Sequence, residues 1–109
     1  MIIYIDIDGV LCPDLHEKFR DAKYRQDCID FINLLHSSGH KVILWTSRGV
    51  KQKDKTALDD TILELNKLGV CFDEIKEKPF YDMIVDDKAL NSIDTLKKMF
   101  EKFTGETFY

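Results

Sequence analysis

The opening stretch Met-Ile-Ile-Tyr-Ile-Asp-Ile-Asp-Gly-Val-Leu constrains this chain more than any other. Met1 to Ile5 is an unbroken apolar run rich in β-branched side chains, the pattern of a strand buried on both faces of a parallel sheet. It stops abruptly at Asp6 and Asp8. Side chains alternate along a strand, so both carboxylates are expected on one side at its carboxyl end. That is the edge at which open α/β sheets bind ligands. Gly9 comes next and permits a tight or left-handed turn. Two like charges this close need a cation or a shared proton between them, and magnesium suits oxygen ligands. The plainer alternative is that both acids merely end the strand and cap the next segment.

Behind this stretch, apolar runs alternate with amphipathic ones. Cys12 to Tyr24 has no clean period, carries Pro13 and is crowded with charge, which predicts a loop or flap. From Gln26, Cys28, Phe31, Ile32 and Leu35 share one helical face, with Gly39 as its stop. Lys41 to Trp45 predicts a second buried strand, running out into Thr46, Ser47, Arg48 and Gly49. A second helix is expected over 54–68, with Leu58, Ile62, Leu65 and Leu68 as its face and Thr56 and Asp59 as a capping box. Val70-Cys71-Phe72 predicts a short third strand, and Met83-Ile84-Val85 a fourth that ends in Asp86 and Asp87. A last helix from Asn91 or Ser92 buries Ile93, Leu96, Phe100 and Phe103. The tail from Thr104 to Tyr109 is a candidate fifth strand, a packed end or a contact with a second copy of the chain. This order implies a single α/β domain, a parallel sheet with helices on its faces.

Composition narrows the function classes. At 109 residues and 44% hydrophobic, the chain suits one ordered domain. No apolar stretch approaches the roughly 20 residues of a membrane span. A net charge of −4 gives no electrostatic basis for holding long nucleic acids. Cys12, Cys28 and Cys71 show no metal-ligand spacing, and the start lacks a basic leader, so reduced thiols in a cytoplasm are expected.

Three apolar strands thus end in reactive groups: Asp6 and Asp8, then Thr46 and Ser47, then Asp86 and Asp87, with Lys78 just before Pro79. Acid pairs, a hydroxyl and a cation on one sheet edge suit phosphoryl transfer, which needs positioning and charge neutralisation. Asp6-Ile7-Asp8-Gly9-Val10-Leu11, Trp45-Thr46-Ser47-Arg48, Lys78-Pro79 and Val85-Asp86-Asp87 resemble, in order, the four motifs of the haloacid dehalogenase superfamily in its phosphatase branch.

The resemblance implies a three-layer α/β/α Rossmann-like domain without a cap. It implies hydrolysis of a small phosphomonoester through an aspartyl phosphate on Asp6, with Asp8 as proton donor and then base. It implies magnesium between Asp6, the main-chain carbonyl of Asp8 and Asp87, with Asp86 supporting. Thr46, Ser47 and Lys78 would hold the phosphoryl group, Lys78 preferred over Lys76 because Pro79 follows it. Arg48 either binds substrate or ties the second loop to an acid. Trp45 to Gly49, Lys78 to Asp82 and Val85 to Asn91 look most like small phosphatases of sugar-phosphate and surface-polysaccharide metabolism, and more loosely like deoxyribonucleotidases. A phospho-acceptor receiver domain is the competing class. Receivers, however, place their acid pair first and a single acceptor Asp mid-chain, the reverse of the order here.

Overall fold

The computed structural model describes residues 1–79, 83, 86 and 93–104. Among the described residues three parallel strands, β1 (Ile2–Asp6), β2 (Lys41–Thr46) and β3 (Glu74–Glu77), form a sheet with β2 in the middle. The crossovers contain α1 (Gln26–Ser37) and α2 (Thr56–Lys67), and α3 (Ile93–Thr104) comes last. This is the Rossmann-like α/β arrangement expected from the order of apolar runs. The first crossover holds the flap and α1, the second a loop and α2.

Register explains which residues meet at the functional edge. Ile5 pairs with Leu44 and Asp6 with Trp45, while Trp45 pairs with Lys76 and Thr46 with Glu77. The strands therefore end side by side, and Asp8, Ser47, Arg48 and Lys78 all leave the sheet at its carboxyl edge.

The core lies on one sheet face. Ile5, Val42 and Leu44 pack with Cys28, Ile29, Phe31, Ile32 and Leu35 of α1 and with Leu65 of α2. Burying such side chains contributes about 1.5–3 kcal/mol each. The opposite face departs from expectation. Ile2 is 67% and Tyr4 49% exposed, so β1 is not buried on both faces. This apolar exposure belongs to β1: Ile43 of β2, which pairs with Tyr4 on that face, is buried.

Three further expectations are corrected. Val70-Cys71-Phe72 is not a strand; β3 begins four residues later than Val70, at Glu74. The Val70 N–H closes the end of α2 on the Leu65 carbonyl and the Cys71 N–H donates to Asn33 Oδ1, so both donors are spent outside a ladder. Pairing resumes only at Asp73, whose N–H donates to the Val42 carbonyl. The buried residues of α2 are Ala57, Thr61 and Leu65, one turn apart, with Leu58 and Ile62 half-buried and Leu68 exposed. The Thr61 hydroxyl on this inner face donates to the Ala57 carbonyl at 2.8 Å and accepts from Arg48. The capping box from Thr56 to Asp59 does not form either. Asp54 accepts from the Thr56 N–H (2.9 Å) and from its hydroxyl (2.7 Å) instead. These bonds hold the Asp54 carboxyl below its usual range.

Ile84, Val85 and Asp87 of the expected fourth strand, and the tail 105–109, lie outside the described residues; Met83 and Asp86 are exposed. In α3, Ile93 is buried against the core and Leu96 half-buried; the Phe100 and Phe103 side chains are not described. Lys97 is also buried, its ammonium 5.6 Å from the Phe31 ring and 3.9 Å from Asp27.

Candidate active site

Each acid of the first loop meets a cation from a different loop. Asp6, the last residue of β1, accepts from Lys78 Nζ at 2.8 Å. Lys78 is placed by its own N–H, which continues the β2–β3 pairing by donating to the Thr46 carbonyl at 2.7 Å. Lys78 is 8% exposed, whereas Asp6 keeps about a third of its side chain accessible at 36%. Burial raises the Asp6 pKa above the ordinary carboxylate value, and hydrogen bonding to Lys78 with its positive charge opposes that rise. Lys76 goes elsewhere, to the Tyr4 hydroxyl at 3.2 Å and over its ring.

Asp8 is gripped by Arg48. Nε donates to Asp8 Oδ2 and Nη2 to Oδ1, each at 2.9 Å, a two-pronged charge-assisted contact. The Arg48 side chain is 1% exposed. Its Nη1 donates to Thr61 Oγ1 at 3.3 Å, and its Cζ lies 4.9 Å from the Phe19 ring centre and 5.7 Å from that of Tyr24. Burial works against the charge, but the bonds to Asp8 outweigh it and the guanidinium stays protonated. Of the two roles weighed for Arg48, the geometry is that of the tie. The partners Thr61, Phe19 and Tyr24 are invisible to sequence reasoning, because they come from two separate segments, the flap and α2, and carry no motif. Cys12 lies beneath this pair, its Sγ 3.6 Å from Asp8 Oδ1. Burial and the Asp8 charge push its thiol up to about 12, so it is an inert packing residue at neutral pH.

The second loop is set by Thr46 and Gly49. Thr46 is fully buried, and its Oγ1 accepts from the Arg48 N–H at 3.0 Å. That bond uses the hydroxyl as an acceptor and shapes the loop, while Ser47 is exposed at the site. Gly49 has φ +75°, and a Cβ there would stand 2.6 Å from both Ala57 Cβ and the Asp54 carbonyl oxygen. Gly49→Ala is therefore expected to lower unfolding stability by roughly 2–4 kcal/mol, from left-handed strain plus overpacking. Urea denaturation will show it as a lower midpoint with unchanged slope.

Asp8, Ser47, Arg48 and Pro79 open on a cavity of about 740 Å³. Its remaining walls come from the flap (Asp14, His16, Phe19, Arg20) and the loop from Gly49 to Asp54. Asp6 and Lys78 are not lining residues, but both flank its floor in sequence. The expected flap contains a 3-10 helix, His16–Asp21. Among the described residues no three His, Cys, Asp or Glu side chains converge on one point. Asp87, the third metal ligand implied by the resemblance, lies outside them, and Asp86 is exposed.

No family model matches the chain, and no curated protein does. Solved structures do. A structural-genomics target protein from Vibrio cholerae superposes with TM-score 0.73 at 23% identity, covering 93% of this chain and 97% of that one. A D,D-heptose 1,7-bisphosphate phosphatase from B. bronchiseptica, complexed with magnesium and phosphate, superposes with TM-score 0.55 at 20% identity, over 94% of this chain and 63% of that one. The Pnkp1/Rnl/Hen1 RNA repair complex contains a third relative in shape, with TM-score 0.55 and 18% identity, 98% of this chain matching 33% of that one. These likenesses show that the chain shares the α/β fold of these proteins, one of them a phosphatase.

Proposed function

We propose that this chain is a magnesium-dependent phosphomonoester hydrolase acting on a small phosphorylated metabolite, with a sugar phosphate as the leading class. One observation carries the reading: at the carboxyl edge of the sheet, a partly accessible Asp6 is held by the buried Lys78 while Asp8 is locked by Arg48. An acid that can be approached, a cation beside it and a second oriented acid are what transfer of a phosphoryl group to a carboxylate and then to water requires.

Asp6 attacks phosphorus, its oxygen forming the new P–O bond as the bond to the leaving oxygen breaks. Asp8 delivers a proton to that leaving oxygen. It then takes a proton from the water that hydrolyses the aspartyl phosphate, which restores Asp6 and releases phosphate. Arg48 holds the plane of the Asp8 carboxylate while leaving each oxygen a further lone pair for this traffic. Lys78 offsets charge on the transferring group beside Asp6. Ser47, exposed at the cavity, offers its N–H and hydroxyl to the phosphate, and Thr46 holds the loop that presents it.

The donor set fits a hard divalent cation. Asp6 exposes a carboxylate next to Asp8, and the ligands would be Asp6, the Asp8 main-chain carbonyl and Asp87, with Asp86 in support. Bound there, magnesium would screen the approach of an anionic substrate to an anionic nucleophile. The phosphatase of known structure complexed with magnesium and phosphate supports this choice by analogy of fold.

The test is phosphate release from p-nitrophenyl phosphate and from a panel of sugar phosphates and nucleotides, with magnesium and with chelator. Turnover with magnesium and its loss, by about 10²-fold or more, in chelator is the expected result. Equal turnover in both would end the metal-dependent reading. Preference for deoxynucleoside monophosphates over sugar phosphates would move the substrate class to the nucleotidase alternative.

A further inference from the structure

We infer that Arg20 is a positioning residue whose guanidinium latches the flap to the first turns of α2 and so holds one wall of the cavity in place. Its Nε and Nη2 donate to Asp60 Oδ2 at 3.1 and 2.8 Å. Nη2 also reaches Thr56 Oγ1 at 3.4 Å and lies 3.5 Å from Asp54 Oδ2. These partners stand 34 to 40 residues away in sequence, on and just before the helix that comes after the second loop. The bonds inside the flap are local: the Lys18 N–H donates to Leu15, the Ala22 N–H to Phe19, and the His16 N–H to the Asp14 side chain. The hydrogen bonds of Arg20, by contrast, leave the flap for another part of the chain.

The latch sits next to the Asp8 pair. Phe19, buried in the flap, has the Arg20 Cζ 4.5 Å and the Arg48 Cζ 4.9 Å from its ring centre. Seating Arg20 on α2 thus also seats Phe19 against the guanidinium that grips Asp8. His16 carries φ +53°, a conformation that a non-glycine residue keeps only when its surroundings hold it. The flap is therefore anchored at one end by a buried ring and along its rim by an exposed fork. Exposed ion pairs are weak and screened by salt, which suits a wall that must part to admit a substrate. The inference extends the proposed function by naming what positions the flap; the fork itself is independent of that function.

Hydrogen exchange on the whole chain, without metal or substrate, tests it separately from activity. In Arg20→Ala and in Asp60→Asn, amides of 14–24 should exchange about two- to fivefold faster than in the wild type, with α1 and β2 unchanged. The wild type in 1 M sodium chloride should move the same way, and the swapped pair Arg20→Asp with Asp60→Arg should return toward wild-type protection. Flap exchange unaltered in both single variants overturns the latch, and so does a rise spread evenly over the chain, which would mean a general role in stability. With p-nitrophenyl phosphate, the single variants should raise KM more than they lower kcat. A wild type that hydrolyses nothing would overturn the phosphatase reading, and the exchange data would still decide the latch.

Discussion

Asp6→Asn is expected to lower kcat for phosphomonoester hydrolysis by at least about 10³-fold, equal to roughly 4 kcal/mol of barrier. The amide keeps the shape of the side chain and can still accept from Lys78, but its oxygen is a poor nucleophile and carries no charge. The stability of the metal-free protein should change little. Burial raises the folded-state pKa of Asp6, so the folded state holds this proton more tightly than the unfolded chain does. The ionised carboxylate therefore costs stability, and the cost sets in as pH climbs from the unfolded value through the folded one. At pH 7 in chelator the gain from removing that charge is offset by the buried Lys78 ammonium left without its counter-charge, so the Asn variant should melt close to the wild type. Magnesium should then raise the melting temperature of the wild type more than that of the variant, because a ligand stabilises only the state that binds it. A variant that keeps wild-type turnover would exclude a covalent route through Asp6. A variant that melts well below the wild type would mean that its inactivity reflects the fold and not the chemistry.

How far the sequence can be read depends on where the information is local. The carboxyl edge is legible because Ile5 before Asp6, and Leu44 and Trp45 before Thr46, are apolar runs broken by polar residues within one step. The inner face of α1 is legible because Cys28, Phe31, Ile32 and Leu35 all obey one period. The third strand is misplaced because β3 is a charged segment, Glu-Ile-Lys-Glu, with a single apolar residue. Its pairing comes from the main chain of β2, and nothing in its own pattern announces it. The apolar Val70 nearby is buried as the end of a helix. The face of α2 is misread because Thr61 is buried with its hydroxyl bonded to Ala57 and to Arg48, the latter a contact between residues 13 apart that hydrophobic periodicity ignores. Lys78 can be picked over Lys76 from Pro79, yet its ion pair with Asp6 spans 72 residues and emerges only once the strands are assembled.

Arg48 separates a chemical role from a scaffolding one, and replacing it should be costly in both respects. Arg48→Met keeps length and apolar bulk under Phe19 and Tyr24 but leaves Asp8, whose side chain is 14% exposed, without its guanidinium. Removing one member of a buried pair typically costs about 3–5 kcal/mol, and the partial exposure of Asp8 places this case near the lower end, about 3 kcal/mol. Arg48→Lys restores the charge but not the fork, since an ammonium cannot meet both Asp8 oxygens and Thr61 in one plane. Its loss should fall roughly midway, about 1–2 kcal/mol. Adding Asp8→Asn to Arg48→Met should recover part of the deficit, because the stranded charge disappears, and a coupling of about 1–3 kcal/mol in the double-mutant cycle is expected. In kinetics, Arg48→Lys should lower kcat by roughly 10- to 100-fold with little change in KM, since a side chain buried behind Asp8 acts by orienting it. The opposite pattern, a raised KM with kcat intact, would make Arg48 a substrate ligand and would require the Asp8 fork to open when substrate binds.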